Sequence, residues 1–570
     1  MGQGEALSVP PIVHFETLEL CGRASNPGGC ASTGFGGAAA RWAGRLLLAV
    51  GTALAIGACS SLPPGHDFPR VASSAFAGGP HTRLGKAFAG VTADHAPTSG
   101  FRLIAAGTDG LAMRMQLIAS AERSLDLQYF IFRGDDTGGL LTAAILDSAD
   151  RGVHVRILID DGDTEDGDDR VLALMAHPSI EVRIFNPFAY RGHSEFLRGI
   201  EYSLDFGRLD YRMHNKLLVA DGSVALVGGR NLSDPYFQVS PESQFADDDV
   251  AAVGPIVPRL SAVFDEFWNN ALAIPAQALS GGGFDPGALA GVRARLADER
   301  LQWDRERPDY LRRVASGEPL AGLLEGRLPL VWANVKLVYD SPDKREVSEG
   351  AMVGRLMHRA VAHAAEQVQS ELIMVTPYLI PGQEGMRIFS DLRRRKVQVR
   401  LLTNSLESTT ELLAQSGYMR FRVPLLEEGV DLYEVRARLG DVRGSGENAA
   451  MAGFGTYGLH AKMFVFDRRE VFIGSMNFDQ RSMHLNTEIG LLIESPVLAE
   501  QVAARFAAMT QKENAYTVVL RPDSDGRGRH LAWLTREGGA DVEFTEEPER
   551  KAFQRFRAQV LSHLPIDREL

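Results

Sequence analysis

One pattern occurs twice in this chain and constrains its fold more than any other feature. Residues 214–231 read HNKLLVADGSVALVGGRN, and residues 460–477 read HAKMFVFDRREVFIGSMN. His214, Lys216, Asp221, Gly228 and Asn231 therefore fall at the same spacings as His460, Lys462, Asp467, Gly474 and Asn477. Between each Lys and Asp every residue is apolar, LLVA in one copy and MFVF in the other, which is how a short buried strand reads. Residues i and i+2 of a strand share a face, so each His is expected beside its Lys. A second apolar run follows, and the Asn beyond it can return to the same strand mouth. An imidazole, an ammonium and an amide meeting at one place can bind an anionic tetrahedral group and exchange a proton with it.

The duplication extends beyond the motif. Around the first copy the periodicity predicts a helix over 107–123, a strand over 124–132, a helix over 139–150, a strand over 153–160, a helix near 170–177 and a strand over 181–185. Roughly 245 residues later the order returns, with a helix over 351–368 and strands over 371–379, 397–403 and 431–434. Strands alternating with helices imply a sheet covered on both faces, and so long a period means tandem domains rather than a solenoid.

The full pattern, H-x-K-x4-D-x6-G-[GS]-x-N, resembles the signature of the phospholipase D superfamily, and both copies satisfy it without a gap. The resemblance implies an α/β fold: two tandem phospholipase D-type α-β-α sandwich domains, packed as a pseudo-twofold pair with one shared active site. The candidate catalytic residues are His214, Lys216, Asp221, His460, Lys462 and Asp467, with Asn231 and Asn477 holding phosphoryl oxygens. By resemblance His214 is the nucleophile and His460 the general acid, an assignment the symmetric sequence does not make by itself. The resemblance also gives Asp221 and Asp467 a structural role in the motif loop. Aligning DDVAAVG after the first copy with TEIGLLI after the second sets Asp249 opposite Glu488. The resemblance then pairs Asp249 with His214 and Glu488 with His460. No cluster of His and carboxylates stands at metal-ligand spacing, so neither a catalytic metal nor another cofactor is expected.

TPYLIPG (376–382), LLTNSLEST (401–409) and DQRSMHLNTEIGLLIE (479–494) resemble bacterial cardiolipin synthases, the C-type above all, over about 105–520. That resemblance implies transfer of a phosphatidyl group from phosphatidylethanolamine or phosphatidylglycerol to a histidine, and then to phosphatidylglycerol. It also implies a macrodomain-type activator protein as a partner. A phospholipase D using water as acceptor would share every catalytic residue. A nuclease or other phosphodiesterase, and a catalytically dead membrane scaffold, are the remaining readings. The formal net charge of −13, with 73 acidic against 60 basic residues and no basic domain, argues against nucleic acid as partner.

The N-terminal region points to a membrane. Arg41 and Arg45 precede LLLAVGTALAI, which ends at Gly57-Ala58-Cys59; the run is short for a membrane span and suits a signal h-region. The ending resembles a bacterial lipoprotein processing site, which implies lipidation of Cys59 and a body anchored in the cell envelope, facing the periplasm; an uncleaved anchor is the alternative. The other cysteines, Cys21 and Cys30, also lie far from the motifs. The Gly-rich residues before this segment contain no second Met, and translation is expected to begin downstream at a non-Met codon. The expected organisation is an extension and signal segment (1–59), a flexible tether (60–98), a first domain (99–285), a charged linker (286–330), a second domain (331–513) and a polar C-terminal extension (514–570) with helical signals near 549–560.

Overall fold

In a computed structural model of the chain, the described residues are 62–162, 173–192, 194–240, 243–279, 287–317, 319–345, 356–438, 456–548 and 552–562. The signal-like stretch with Cys59, together with Cys21 and Cys30, lies outside them, as does the start of the helix read at 170–177. The chain divides into two compact units. One comprises Pro63–Pro187 and Tyr211–Leu570 and carries both motif copies; the other holds Phe188–Asp210.

Among the described residues the larger unit is built on one mixed sheet of 18 strands. In the first repeat these are β1 (Ser99–Ile104), β2 (Ser124–Tyr129), β3 (His154–Asp160), β4 (Ile180–Phe185), β5 (Leu217–Ala220), β6 (Val224–Gly228), β7 (Asp249–Val253) and β8 (Ala273–Pro275). The second repeat gives β9 (Val331–Tyr339), β10 (Glu371–Val375), β11 (Gln398–Asn404), β12 (Asp431–Val435), β13 (Met463–Phe466), β14 (Glu470–Gly474) and β15 (Ile489–Glu494). Three more strands follow, β16 (Ala515–Pro522), β17 (Arg529–Glu537) and β18 (Ala540–Phe544). Within the first repeat the spatial order is β4-β3-β2-β5-β6-β7-β1. The second runs β9-β15-β14-β13-β10-β11-β12, the same order reversed. The halves meet where β1 pairs antiparallel with β9.

This arrangement explains the unbroken apolar motif strands. Leu217 and Val219 of β5 enter a central core that also holds Met463 and Val465 of β13. Leu218 and Ala220 face the outer core of the first repeat, and Phe464 and Phe466 that of the second. A strand buried on both faces has no position for a polar side chain, so alternation disappears. The central core is shared by the two repeats, as a pseudo-twofold pair requires.

Three stretches depart from the sequence reading. Within the expected tether, Arg83–Asp94 is a helix that buries Leu84 and Phe88. Thr82 caps it, its hydroxyl oxygen accepting from the Gly85 N–H at 3.1 Å. The i, i+4 pair is hidden among small residues. The expected linker forms helices Ala288–Glu306, Pro308–Ser316 and Pro319–Leu324. Val292, Leu296, Trp303 and Tyr310 are buried in the first repeat's outer core, and the Tyr310 hydroxyl donates to the Phe237 carbonyl at 2.7 Å. One narrow apolar stripe suffices there, so the charge-rich composition conceals a packed element. In the C-terminal extension, β16–β18 lengthen the second repeat's sheet from β12, ahead of a helix at Ala552–Leu561.

Candidate active site

Each motif His lies just before its buried strand, and its backbone is tied to the opposite repeat. The His214 N–H donates to the Thr487 carbonyl at 2.9 Å, and the N–H groups of His460 and Ala461 donate to the Ala246 carbonyl at 2.8 and 3.0 Å. Behind the second contact, Ser243–Ala246 and Thr456–Leu459 form a parallel ladder between the repeats. Thr487 is followed by Glu488, and Ala246 by Asp247, so these backbone bonds deliver a carboxylate to each histidine from the other half.

The side-chain pairing is accordingly crossed. His214 Nδ1 lies 3.0 and 2.9 Å from the two carboxylate oxygens of Glu488, and His460 Nδ1 lies 2.7 Å from Asp247 Oδ2. This corrects the pairing of Asp249 with His214 and of Glu488 with His460. Asp249 instead accepts from Arg114 at 2.8 Å and Arg230 at 3.1 Å; burial opposes its charge, yet the two guanidiniums hold its pKa below the ordinary value. The strand register gives the reason: Gly228 faces Asp249 and Gly474 faces Gly490, so the counterpart of Glu488 is Asp247, two residues earlier than the alignment placed it.

The two motif carboxylates are also not at the chemistry. Asp221 closes the far end of β5, accepting from the N–H groups of Glu122, Arg123 and Ser124 at 3.0, 2.8 and 3.0 Å. Asp467 does the same beyond β13, accepting from the N–H groups of Gln369, Ser370 and Glu371 at 2.8, 2.7 and 3.1 Å. Both adopt left-handed backbone, with φ 51° and 52°, which Asp tolerates better than most residues. Placing them among the catalytic residues is therefore corrected: a whole strand, β5 or β13, separates each from its His and Lys, and the carboxylates pin a neighbouring strand.

Both histidines are buried, and each has a lysine as well as a carboxylate beside it. Lys216 Nζ donates to the His214 carbonyl at 2.7 Å; Lys462 Nζ donates to the His460 carbonyl and lies against the ring, 2.9 Å from His460 Nδ1 and 3.2 Å from Nε2. Burial, and then the two lysine charges, push both imidazoles well below their usual pKa. Burial also depresses Lys216 well below its usual value and Lys462 to about 8. The same burial raises Asp247 and Glu488 to about 7 each. Donation of Nδ1–H to the carboxylate makes Nε2 the reactive nitrogen of each ring, a base or nucleophile when bare and an acid when it carries a second proton.

Other residues of the site were not legible as such. Ser475 and Ser482 donate to Glu488 at 2.5 and 2.8 Å, so the Ser that replaces Gly229 in the second motif has a specific partner. Lys344 Nζ donates to Asp340 and to the carbonyls of Ser482 and Asn486 at 2.9, 2.9 and 2.7 Å, bracing the segment that carries Glu488. Phe130 meets His214 edge-on at 5.0 Å, and Tyr236 meets His460 at 4.9 Å. No spacing rule announces these contacts. The Asn231 amide donates to the Tyr236 hydroxyl at 2.8 Å, whereas the Asn477 carboxamide oxygen is buried with no hydrogen-bond partner. Such an orphan acceptor calls for a donor, such as a hydroxyl. Among the described residues no group of three or more His, Cys, Asp or Glu side chains is arranged to hold a metal ion.

A domain family described as "Cardiolipin synthase, PLD-like domain" matches residues 115–268 and 361–510, one match for each repeat. The chain belongs to this family. It is 35% identical over 489 residues to cardiolipin synthase C of Escherichia coli (strain K12), covering 85% of this chain and 99% of that protein. An uncharacterized protein of Helicobacter pylori (strain ATCC 700392 / 26695) is 28% identical over 88% of this chain and 95% of its own length. Cardiolipin synthase 1 of Bacillus anthracis is 24% identical over 71% of this chain and 65% of its own length. The phospholipase D-like matches cover β2–β7 and β10–β15 and include both histidines.

Proposed function

We propose that this chain is a phosphatidyltransferase that makes cardiolipin from phosphatidylglycerol and a second phospholipid, phosphatidylethanolamine or phosphatidylglycerol. The observation that carries the reading is the pair of buried imidazoles, each with Nδ1 held by a carboxylate of the other repeat, set among two lysines. In the first step His214 Nε2 forms a bond to the donor's phosphorus while the bond from phosphorus to the headgroup oxygen breaks. His460 supplies the proton that the departing alcohol takes. In the second step a glycerol hydroxyl of phosphatidylglycerol gives its proton to His460, its oxygen bonds to phosphorus, and the bond to His214 breaks. Proton transfer of this kind is worth about 10²–10⁴-fold. Lys216, Lys462 and the Asn477 amide stabilise the charge that builds on the phosphoryl oxygens; Asn231, through Tyr236, completes that wall.

The protein works at a membrane. Lipidation of Cys59 would anchor it, and since one acyl chain binds only marginally, more than one is needed for a stable attachment facing the periplasm. Among the described residues no helix is long and apolar enough to cross a bilayer. A macrodomain-type activator protein is a further proposed partner, carried over from the C-type resemblance. Incubation of the full chain with vesicles of phosphatidylglycerol, phosphatidylethanolamine and their mixture, with products identified by mass spectrometry, tests the reading. Cardiolipin with released ethanolamine or glycerol is the expected result and names the donor. Phosphatidic acid alone would make the protein a phospholipase D, in which water takes the acceptor's place.

A further inference from the structure

The helix Glu195–Leu204 of the smaller unit is inverted relative to a helix of a water-soluble surface. Phe196, Leu197, Ile200 and Leu204 fall on one side at helical spacing and are 71%, 44%, 41% and 74% exposed. Phe206, just beyond, meets the ring of Tyr202 on the other side edge-on at 5.3 Å. The polar side is the one that the unit itself engages. Glu201 accepts from the N–H groups of Ala189 and Tyr190 at 2.6 and 2.8 Å, and the Tyr202 hydroxyl donates to Asp210 at 2.7 Å. The Arg198 guanidinium sits 4.2 Å over the Phe188 ring. Ser194 caps the helix start, accepting from the Leu197 N–H at 3.4 Å. The helix is thus held in place by its polar face while its apolar face is presented outward.

Size and charge narrow what that face meets. Four side chains at these exposures offer on the order of 400 Å², below the about 800 Å² per partner of a stable protein interface. Residues 188–210 carry three Arg against four Asp and Glu, so a nucleic acid or any strongly charged partner finds no complementary field. A helix lying in a bilayer interface needs only such an apolar stripe, buried about 5–10 Å deep. In sequence the segment also leads directly into Arg212–His214, and substrates of the proposed reaction reside in bilayers. We propose that Phe196, Leu197, Ile200 and Leu204 form a membrane-interface face, through which the enzyme enters the lipid surface by apolar insertion rather than by charge. The choice of lipid as occupant rests on the phosphatidyltransferase reading.

The test uses the full chain with Cys59→Ser and with Leu47→Asp and Leu54→Asp in the apolar run before it, so that neither an acyl chain nor that run contributes, and vesicles of phosphatidylcholine alone or with phosphatidylglycerol. The parent is expected to float with both vesicle types alike and with little salt dependence. Phe196→Ser, Ile200→Ser and Leu204→Ser together should weaken partitioning about 10- to 100-fold. Turnover of vesicle phospholipid should fall in parallel, while turnover of short-chain phospholipid dissolved as monomers stays unchanged. Leu204→Trp, which keeps the face apolar, should gain fluorescence that brominated lipid quenches. Equal flotation of parent and triple variant, or an introduced indole that brominated lipid leaves unquenched, would overturn the proposal. So would a parent dimer that the triple variant abolishes while vesicle binding persists. If flotation behaves as expected but no phospholipid is turned over, the membrane face stands and the transferase reading fails.

Discussion

Replacing Glu488 by Gln and Asp247 by Asn separates the two histidines. Both carboxylates are fully buried, so the isosteric amides remove a charge without opening a cavity, and Ser475 and Ser482 can reorient their hydroxyls to suit the new amide. What each loses is a charge-assisted bond to an imidazole, worth about 1.5–3 kcal/mol. That corresponds to roughly 10- to 150-fold in the step that its histidine performs. Because the pairing is crossed, Glu488→Gln weakens His214, the proposed nucleophile, and Asp247→Asn weakens His460, the proposed acid. An aryl phosphodiester, whose leaving group departs without a proton, discriminates between them. In a single-turnover burst of phenolate release, Asp247→Asn should remain near the parent rate while Glu488→Gln is slowed by the full factor. With an alkyl phospholipid, trapped in base as phosphohistidine, both should be slow. A burst slowed by Asp247→Asn and spared by Glu488→Gln would refute either the crossed pairing or the assignment of roles.

Two shorter expectations concern the rest of the motif. Burial lowers Lys462 to about 8, so its ammonium is charged below that pH and neutral above it. Since only the charged form binds phosphoryl oxygens, kcat/KM should fall as pH rises through about 8. Lys462→Arg, which stays charged, should remove that limb at some cost in rate, and a limb surviving at the same pH would assign it to another group. Asp221→Ala strands three backbone N–H groups and places Ala at φ 51°, which should cost about 2–4 kcal/mol. Thermal unfolding should show that loss, with kcat per folded molecule unchanged; a tenfold drop in kcat at unchanged Tm would return Asp221 to the chemistry.

The two repeats, the succession of their strands along the chain and the identity of His214, Lys216, Asn231, His460, Lys462 and Asn477 were legible because each is encoded locally. Apolar runs between fixed polar residues specify buried strands wherever they occur, and duplication at constant spacing repeats the message. Elements whose burial rests on a sparse stripe were not legible in the same way. The helix around Leu84 and Phe88 is masked by small residues, the helix bearing Trp303 looks polar in composition, and β16–β18 carry many partly exposed positions.

The sequence by itself singled out the groups proposed for the site: two imidazoles, two ammoniums and two amides in two copies of one pattern. Only the tertiary structure decided which carboxylate serves which histidine. Asp247, Asp248 and Asp249 are adjacent in the chain, and each ends with a different partner: His460, Arg505, and the pair Arg114 and Arg230. Strand register and the backbone bonds from His214 to Thr487 and from His460 to Ala246 make that choice. The paired side chains stand 274 and 213 positions apart, and no local pattern can specify a pairing that exists only once the two halves have packed against each other.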